Sequence, residues 1–194
     1  MTIDKYFALF LLLIGFICSH AYDNEESEID KETLPSHHQL IEAMFNESVK
    51  LTGYAFDRAG ELCQKLLDEE IYKNGPSEAF TDHETFQNNC VHRVVSRLDP
   101  TAYRRGNHPD DILLRKYGFD NALKVMDQKY AEFYVEIVRR IDAYVRGLTR
   151  EQRRKKSARN LRRWSRKIKK APTLAKKEMA FGKCMRFYYF EGGV

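Results

Sequence analysis

Apolar residues recur at intervals of three and four through most of the chain, and this spacing restricts what the chain can fold into. An α-helix completes a turn in about 3.6 residues, so such residues line one face of a helix, whereas a half-buried strand alternates strictly. Strict alternation and paired hairpin turns do not occur in the sequence. We therefore predict an all-α protein, an irregular bundle of about 4–6 helices joined by short turns.

Turn-forming residues divide the first half of this bundle into two helices. Ser36, which directly follows a proline, is the predicted N-cap of the first helix, and the Asn-Gly-Pro run at 74–76 predicts its end. The second helix is predicted to begin at Ser77 or Asp82. It ends before the Asp-Pro pair at 99–100, because the residue that precedes a proline disfavours the helical conformation.

A third helical region begins near Asp110 or Asp111, and Gly118 is predicted to divide it, with Asp120 as the cap of the second part. The second part has the widest apolar stripe in the chain and is the predicted core helix, loosened at its end by Gly147. The stripe contains Leu123, Met126, Tyr130, Phe133, Tyr134, Ile137, Val138, Ile141, Tyr144, Val145 and Leu148.

A last helix is predicted to begin after Pro172, with Thr173 as its N-cap. The aromatic run at 187–190 fits the end of this helix pressed against the bundle, and alternatively a short strand or an exposed recognition tail. The predicted apolar lining consists of Leu174, Met179, Phe181, Cys184, Met185 and Tyr188.

The stretch 150–170 is strongly polarised, with twelve Lys or Arg residues and one acid. Thr149 and Gln152 have the spacing of a capping box, which predicts one basic amphipathic helix over 149–171. Its narrow apolar stripe, Ala158, Leu161, Trp164 and Ile168, either packs on the protein's own core or inserts into an acidic membrane surface. The candidate anion-binding residues are Arg150, Arg153, Arg154, Lys155, Lys156, Arg159, Arg162, Arg163, Arg166, Lys167, Lys169 and Lys170.

The first residues have the pattern of a secretory signal peptide. Lys5 precedes an apolar run of twelve residues at 7–18, and small residues at 19 and 21 fit a cleavage site. The run is shorter than the ~20 residues that a membrane-spanning helix needs. We predict a secreted, extracellular protein, and its predicted parts are a signal peptide (1–21), an acidic mobile leader (22–35), a helical bundle (36–148), the basic helix (149–171) and a C-terminal helix with an aromatic tail (172–194).

Charge is divided unequally between the two halves of the predicted mature chain. Residues 22–100 contain seventeen acids and seven bases, a net charge of −10, and residues 101–194 contain ten acids and twenty-five bases, a net charge of +15. Such asymmetry indicates internal pairing, a dedicated interaction surface, or both.

Three cysteines remain after removal of the predicted signal peptide, namely Cys63, Cys90 and Cys184. Cys63 and Cys90 both fall on predicted apolar faces, about one turn apart in an antiparallel hairpin of the first two helices. We predict a disulfide between them. Cys184 is then left free or forms a disulfide between two chains.

Motifs for small-molecule chemistry are not found in the sequence. His37, His38, His83, His92 and His108 are interpreted as surface residues, because their spacing fits no metal site. We predict no catalytic residue, metal, cofactor or small-molecule substrate. Asn46 begins an N-glycosylation sequon, and we expect it to face solvent.

These features favour a secreted, non-enzymatic helical protein that binds an anionic partner through the basic helix. The partner classes are a sulfated glycan, an acidic lipid surface or a nucleic acid. An alternative hypothesis is a precursor with an acidic pro-region that releases a basic C-terminal peptide after cleavage in the basic run at 153–156. An enzyme whose site is assembled only by the tertiary structure is the third hypothesis.

Overall fold

The computed structural model describes residues 34–68, 83–103, 105–107 and 111–190. These residues are mostly helical and form no strand, which confirms the predicted all-α class. The predicted signal peptide, nearly all of the leader, the helix end at 74–76 and the start of the second helix before residue 83 lie outside the described residues. The described helices are α1 (Leu34–Leu67), α2 (His83–Leu98), α3 (Asp111–Arg115), α4 (Phe119–Gly147), α5 (Lys156–Lys170) and α6 (Leu174–Phe190).

Some of the predicted helix boundaries are confirmed, and two caps were wrong. α2 ends at Leu98, directly before the Asp-Pro pair, as predicted. Gly118 separates α3 from α4 with a φ of 99°, a left-handed conformation that glycine adopts without steric cost. Asp120 is not the cap of α4 but lies in its first turn, where its Oδ1 is 3.3 Å from Nε of Arg115. Ser36 likewise lies inside the first turn of α1, which begins two residues earlier.

Two hydrophobic clusters lie along the long helices α1 and α4. The first joins the early part of α1 to the later part of α4, to α5 and to α6, and its centre includes Met44, Ile137 and Leu161. The second joins the later part of α1 to α2, α3 and the early part of α4, around Leu62 and Met126. α1 and α4 are therefore antiparallel. The buried residues of α5, the helix within the basic stretch, belong to the first cluster.

Two residues whose apolar spacing predicted a place in the core are exposed instead, Val49 in the first helix and Met179 in the last. Val49 is 51% exposed, because it lies about 140° around α1 from Met44, which is fully buried. Met179 is 54% exposed, because it lies about 200° around α6 from the buried Phe181. In both helices, the face that is buried is narrower than the face that the apolar spacing in the sequence predicted.

α6 is attached to α4 by a polar contact as well as by apolar packing. Tyr134 donates a hydrogen bond from its hydroxyl to Oε2 of Glu178. Burial raises the pKa of the Glu178 carboxyl, because a charged group loses hydration in that environment. The bond joins residues 44 positions apart, so no local pattern could have indicated it.

His37 is buried, which corrects its interpretation as a surface histidine. It lies in the first turns of α1, with its ring 5.3 Å from the Tyr188 ring of α6 and 6.2 Å from the Tyr144 ring of α4. Within the described part of the chain, its Nε2 atom has no hydrogen-bond partner. Burial, and secondarily the charge of His38, lowers the pKa of His37 below the ordinary value of 6.5.

Because His37 is buried, we expect the folded protein to lose stability as the pH falls. The unfolded chain takes up a proton on His37 at higher pH than the folded protein does. The contribution of neutral His37 to the stability of the fold is therefore complete above pH 6.5 and is lost as the pH falls through the lowered pKa. The free energy of unfolding should decrease by at most about 1.4 kcal/mol per pH unit in that interval. Denaturant unfolding between neutral and mildly acidic pH measures the effect.

Substitutions at the adjacent histidines separate this effect from general acid sensitivity. His37→Phe retains a ring of similar shape without a titratable nitrogen, so it should reduce the slope of stability against pH below 6.5. His38→Phe changes an exposed residue and removes only the secondary cause of the lowered pKa of His37, so it should change the slope less than His37→Phe does. An equal slope in His37→Phe and the unmodified protein would contradict the assignment.

Candidate anion-binding surface

The basic stretch begins with a capped turn rather than with the α-helix that was predicted. Thr149 donates its backbone N–H to Oε1 of Gln152 at 2.9 Å, and Gln152 donates its own N–H to Oγ1 of Thr149 at 3.2 Å, so the predicted capping box is confirmed. The box closes a 3-10 turn, Gln152–Arg154, after which Lys155 is extended with a ψ of 155°. The prediction of one helix from 149 onward was therefore wrong, and α5 begins at Lys156.

The inner face of α5 is buried against the protein. Leu161 and Ile168 are 0% exposed and Ala158 is 2% exposed, and Leu161 and Ile168 lie in the cluster with α1, α4 and α6. Trp164, the fourth member of the predicted stripe, is half-buried at the edge of that cluster. The stripe packs on the protein's own core, so insertion into a membrane would require α5 to detach.

Ser165 also belongs to the buried face, although the sequence interpretation did not include it. Its hydroxyl donates a hydrogen bond of 2.6 Å to Oδ1 of Asp142 on α4. Its position supplied a signal, because a residue four after Leu161 and three before Ile168 lies on the same face of a helix. The bond fixes the rotation of α5, and therefore the direction in which its cationic side chains point.

Loss of this bond should weaken the attachment of α5. Ser165→Ala leaves a half-buried carboxylate at Asp142 without its hydroxyl donor, so we expect the free energy of unfolding to fall by about 1–3 kcal/mol. A double-mutant cycle with Asp142→Asn tests the pairing by chemical denaturation. Strictly additive effects of the two substitutions would show that the hydroxyl and the carboxylate do not interact.

The outer face of α5 is entirely cationic. Its seven exposed residues are all Lys or Arg, and Arg162 is half-buried beside them. In the described ranges no ion pair joins these side chains to a carboxylate. The exposed residues are Lys156, Arg159, Arg163, Arg166, Lys167, Lys169 and Lys170.

Five of these residues form a row opposite the buried stripe. At about 100° per residue they fall within an arc of about 80°, and at a rise of 1.5 Å per residue they extend over about 21 Å. We call this set the outer row, and it consists of Lys156, Arg159, Arg163, Arg166 and Lys170.

Seven of the predicted cations lie outside the row: Arg162, Lys167 and Lys169 are beside it on α5, and the other four precede Lys156. Arg150, Arg153 and Arg154 are exposed in the capped turn, and Lys155 is half-buried at the junction. Arg153 donates from Nε to the backbone oxygen of Leu148 at 2.8 Å, which holds its side chain against the end of α4. The structure thus places the twelve predicted cations in one continuous segment but aligns only part of them.

The opposite end of α5 is closed by a lysine from the next helix. Nζ of Lys177 donates to the backbone oxygens of Ile168 and Lys169, at 3.1 and 3.4 Å. A cation is favourable at this position because the last carbonyls of a helix carry partial negative charge.

Thr173 accepts a bond from the N–H of Lys176 at 3.2 Å, so the predicted cap of α6 is confirmed.

Trp164 is enclosed by two neighbours. The ammonium group of Lys167 lies 4.3 Å from the centre of the indole ring, and the Phe187 ring of α6 lies 6.3 Å away.

The apolar residues predicted to line α6 are buried or half-buried, except for Met179. The helix extends through the aromatic run to Phe190. The aromatic run is therefore a helix end, as the first of its three interpretations stated.

The cysteines are arranged as predicted. Cys63 and Cys90 form a disulfide with a Cα–Cα distance of 5.9 Å, which joins α1 to α2. Cys184 is free and 0% exposed, so a disulfide between two chains would require α6 to unpack.

Asn46 faces solvent on α1, and its glycosylation stays a prediction.

The described residues contain no helix long and apolar enough to cross a membrane. In the same residues, no three His, Cys, Asp or Glu side chains are grouped as metal ligands would be. Comparisons with protein-family models, with curated proteins and with solved structures found no match to this chain.

Proposed function

We propose that this protein is a non-enzymatic binder of anionic polymers and that the outer face of α5 is its binding surface. The observation that carries the proposal is the division of α5 into an exposed cationic face and a buried face. Every exposed residue of the helix is Lys or Arg, whereas the opposite face is anchored in the core. A charged face that is fixed by packing does not have to be ordered when the partner binds, which reduces the entropic cost of association.

The electrostatics of this face support the same role. Cations that share one face of a helix repel each other, and no described carboxylate pairs with them on the protein itself. A linear polyanion removes this repulsion and releases its own bound counterions into solution. The first turn of α5 contains no acid, so the positive end of the helix dipole adds to the attraction.

The precursor hypothesis is less well supported. Two residues of its cleavage run at 153–156 lie in the capped turn, and α5 and α6 belong to the same hydrophobic cluster as α4. A chain cut in this run would keep its C-terminal part in place until that cluster unfolds. The packing therefore favours a binding surface that works within the intact protein.

Neutralising the outer row should abolish most of the salt-dependent binding to heparin. Replacing all five row residues by Gln should reduce the slope of log affinity against log salt by about three to four, because each lost contact no longer releases a counterion. Elution from a heparin column and titrations at several salt concentrations measure the loss. Thermal unfolding should remain nearly unchanged, because the row points away from the core.

A matched control removes the same charge from other exposed positions. Its Gln substitutions are at Lys65, Lys124, Arg146, Lys176 and Lys183. This control variant should keep most of the binding and most of the salt slope. Equal losses in the two variants would mean that total charge, and not the α5 surface, governs the interaction.

A further inference from the structure

We infer that the partner of the α5 surface is a flexible, linear sulfated glycan rather than a nucleic acid or an acidic membrane. This inference rests on the proposed function and specifies its ligand. Three properties of the surface carry it, namely its hydrogen-bonding chemistry, the position of its apolar and aromatic groups, and its shape.

The seven exposed side chains of α5 offer donors only. Lysine has three N–H donors and arginine five, and neither side chain has an acceptor. The amino groups on the edges of adenine and cytosine need an acceptor on the protein, so this face cannot read them. Sulfate and carboxylate groups are acceptors alone, and the guanidinium groups of Arg159, Arg163 and Arg166 match their paired oxygens.

The aromatic group of α5 does not provide a platform for nucleic-acid bases. Single-strand binding proteins stack successive bases on exposed aromatic rings. Trp164 is half-buried, with Lys167 over its ring and Phe187 beside it. The surface is therefore without the stacking contribution of about 1–3 kcal/mol per base that such proteins obtain.

An acidic membrane is also a poor match. A helix that lies on a membrane buries its apolar face about 5–10 Å into the boundary between headgroups and acyl chains. The apolar face of α5 is fully used by the core, where Leu161 and Ile168 are 0% exposed. A membrane would gain only charge contacts from α5.

The shape of the outer row selects among the remaining polyanions. Its residues follow one another at about 4.5–6 Å of rise along the helix axis, within an arc of about 80°, on a convex surface. A flexible chain with anionic groups along its length can follow this row from end to end. The phosphates of a rigid duplex wind around the axis, so the row meets only part of them. The predicted signal peptide supports a sulfated glycan, since secretion would place the protein outside the cell.

Binding of the intact protein to a panel of labelled polymers tests the inference. The probes are a short heparin oligosaccharide, oligodeoxythymidine and a DNA duplex of similar length, polyphosphate, and vesicles that contain phosphatidylserine. Anisotropy titrations, and co-sedimentation for the vesicles, are made at matched salt with the unmodified protein, the outer-row variant and the matched control variant. We expect heparin to bind at least about tenfold more tightly than every other probe. We also expect this preference to disappear in the outer-row variant alone.

The outcomes separate the inference from the proposed function. If either DNA probe, polyphosphate or the vesicles bind as tightly as heparin, and the outer row is still required, the glycan inference is overturned and the proposed function stands. If none of the probes binds, or if both variants lose binding equally, the proposed function fails and the inference fails with it.

Discussion

Leu161→Ala should lower the free energy of unfolding by about 2–5 kcal/mol, because it removes a buried side chain and leaves a cavity between helices. Leu161 is 0% exposed and lies in the cluster that joins α5 to α1, α4 and α6. A charged helix that merely covered the surface would show little effect of this change. Equilibrium denaturation, monitored by circular dichroism, gives the difference directly.

The control for this substitution is Arg163→Ala, two residues farther along α5 on its exposed face. Alanine has the highest helix propensity, so we expect a change within about 0.5 kcal/mol. Vesicle binding provides a second measurement. If Leu161→Ala lost vesicle binding while the free energy of unfolding stayed constant, the inner face of α5 would be an insertion surface and its packing assignment would be wrong.

Removal of the disulfide by Cys63→Ala and Cys90→Ala should also destabilise the protein strongly. The cross-link closes a loop with a sequence separation of 27, for which the chain-entropy treatment gives about 3–4 kcal/mol. Because Cys63 is also buried, its sulfur contributes packing in addition to the cross-link. Denaturant unfolding of the double variant, compared with the oxidised protein, measures the loss.

Cys184 provides the control for the disulfide prediction. Burial raises the pKa of its thiol to about 12, so at neutral pH the reactive thiolate is absent and the sulfur is shielded. Non-reducing peptide mapping should recover Cys63 joined to Cys90, and Cys184 should react with an alkylating reagent only after unfolding. A dimer held by Cys184 in the native protein would contradict this arrangement.

The features that could be predicted from the sequence are those that local physics decides. A proline removes a backbone donor, a glycine adopts a positive φ, and a Thr–Gln pair three residues apart can bond reciprocally. The end of α2, the break at Gly118 and the bonds between Thr149 and Gln152 follow from these properties. The disulfide also followed, because helical rise and apolar spacing fix where two cysteines lie in a hairpin.

The candidate site was predicted in composition but not in arrangement. The twelve cations were identified from the sequence, yet the break at Lys155 assigns some of them to a turn and five to the outer row. The sequence left open whether the apolar stripe inserts or packs, because a narrow stripe is suitable for both. The hydrogen bond that holds α5 in this rotation was not predictable either, since the partner of Ser165 is Asp142, 23 residues earlier.

The sequence by itself determined the helical class, several helix boundaries, the disulfide pair and the density of positive charge in this protein. Each of these depends on residues within one helix, one turn or one hairpin of consecutive helices, where the geometry of the backbone is known in advance. Only the tertiary structure decided that His37 is buried, that Tyr134 bonds Glu178, and that the inner face of α5 is core. These outcomes depend on which helices meet, and contacts between residues far apart in sequence are set by how all the apolar faces pack together.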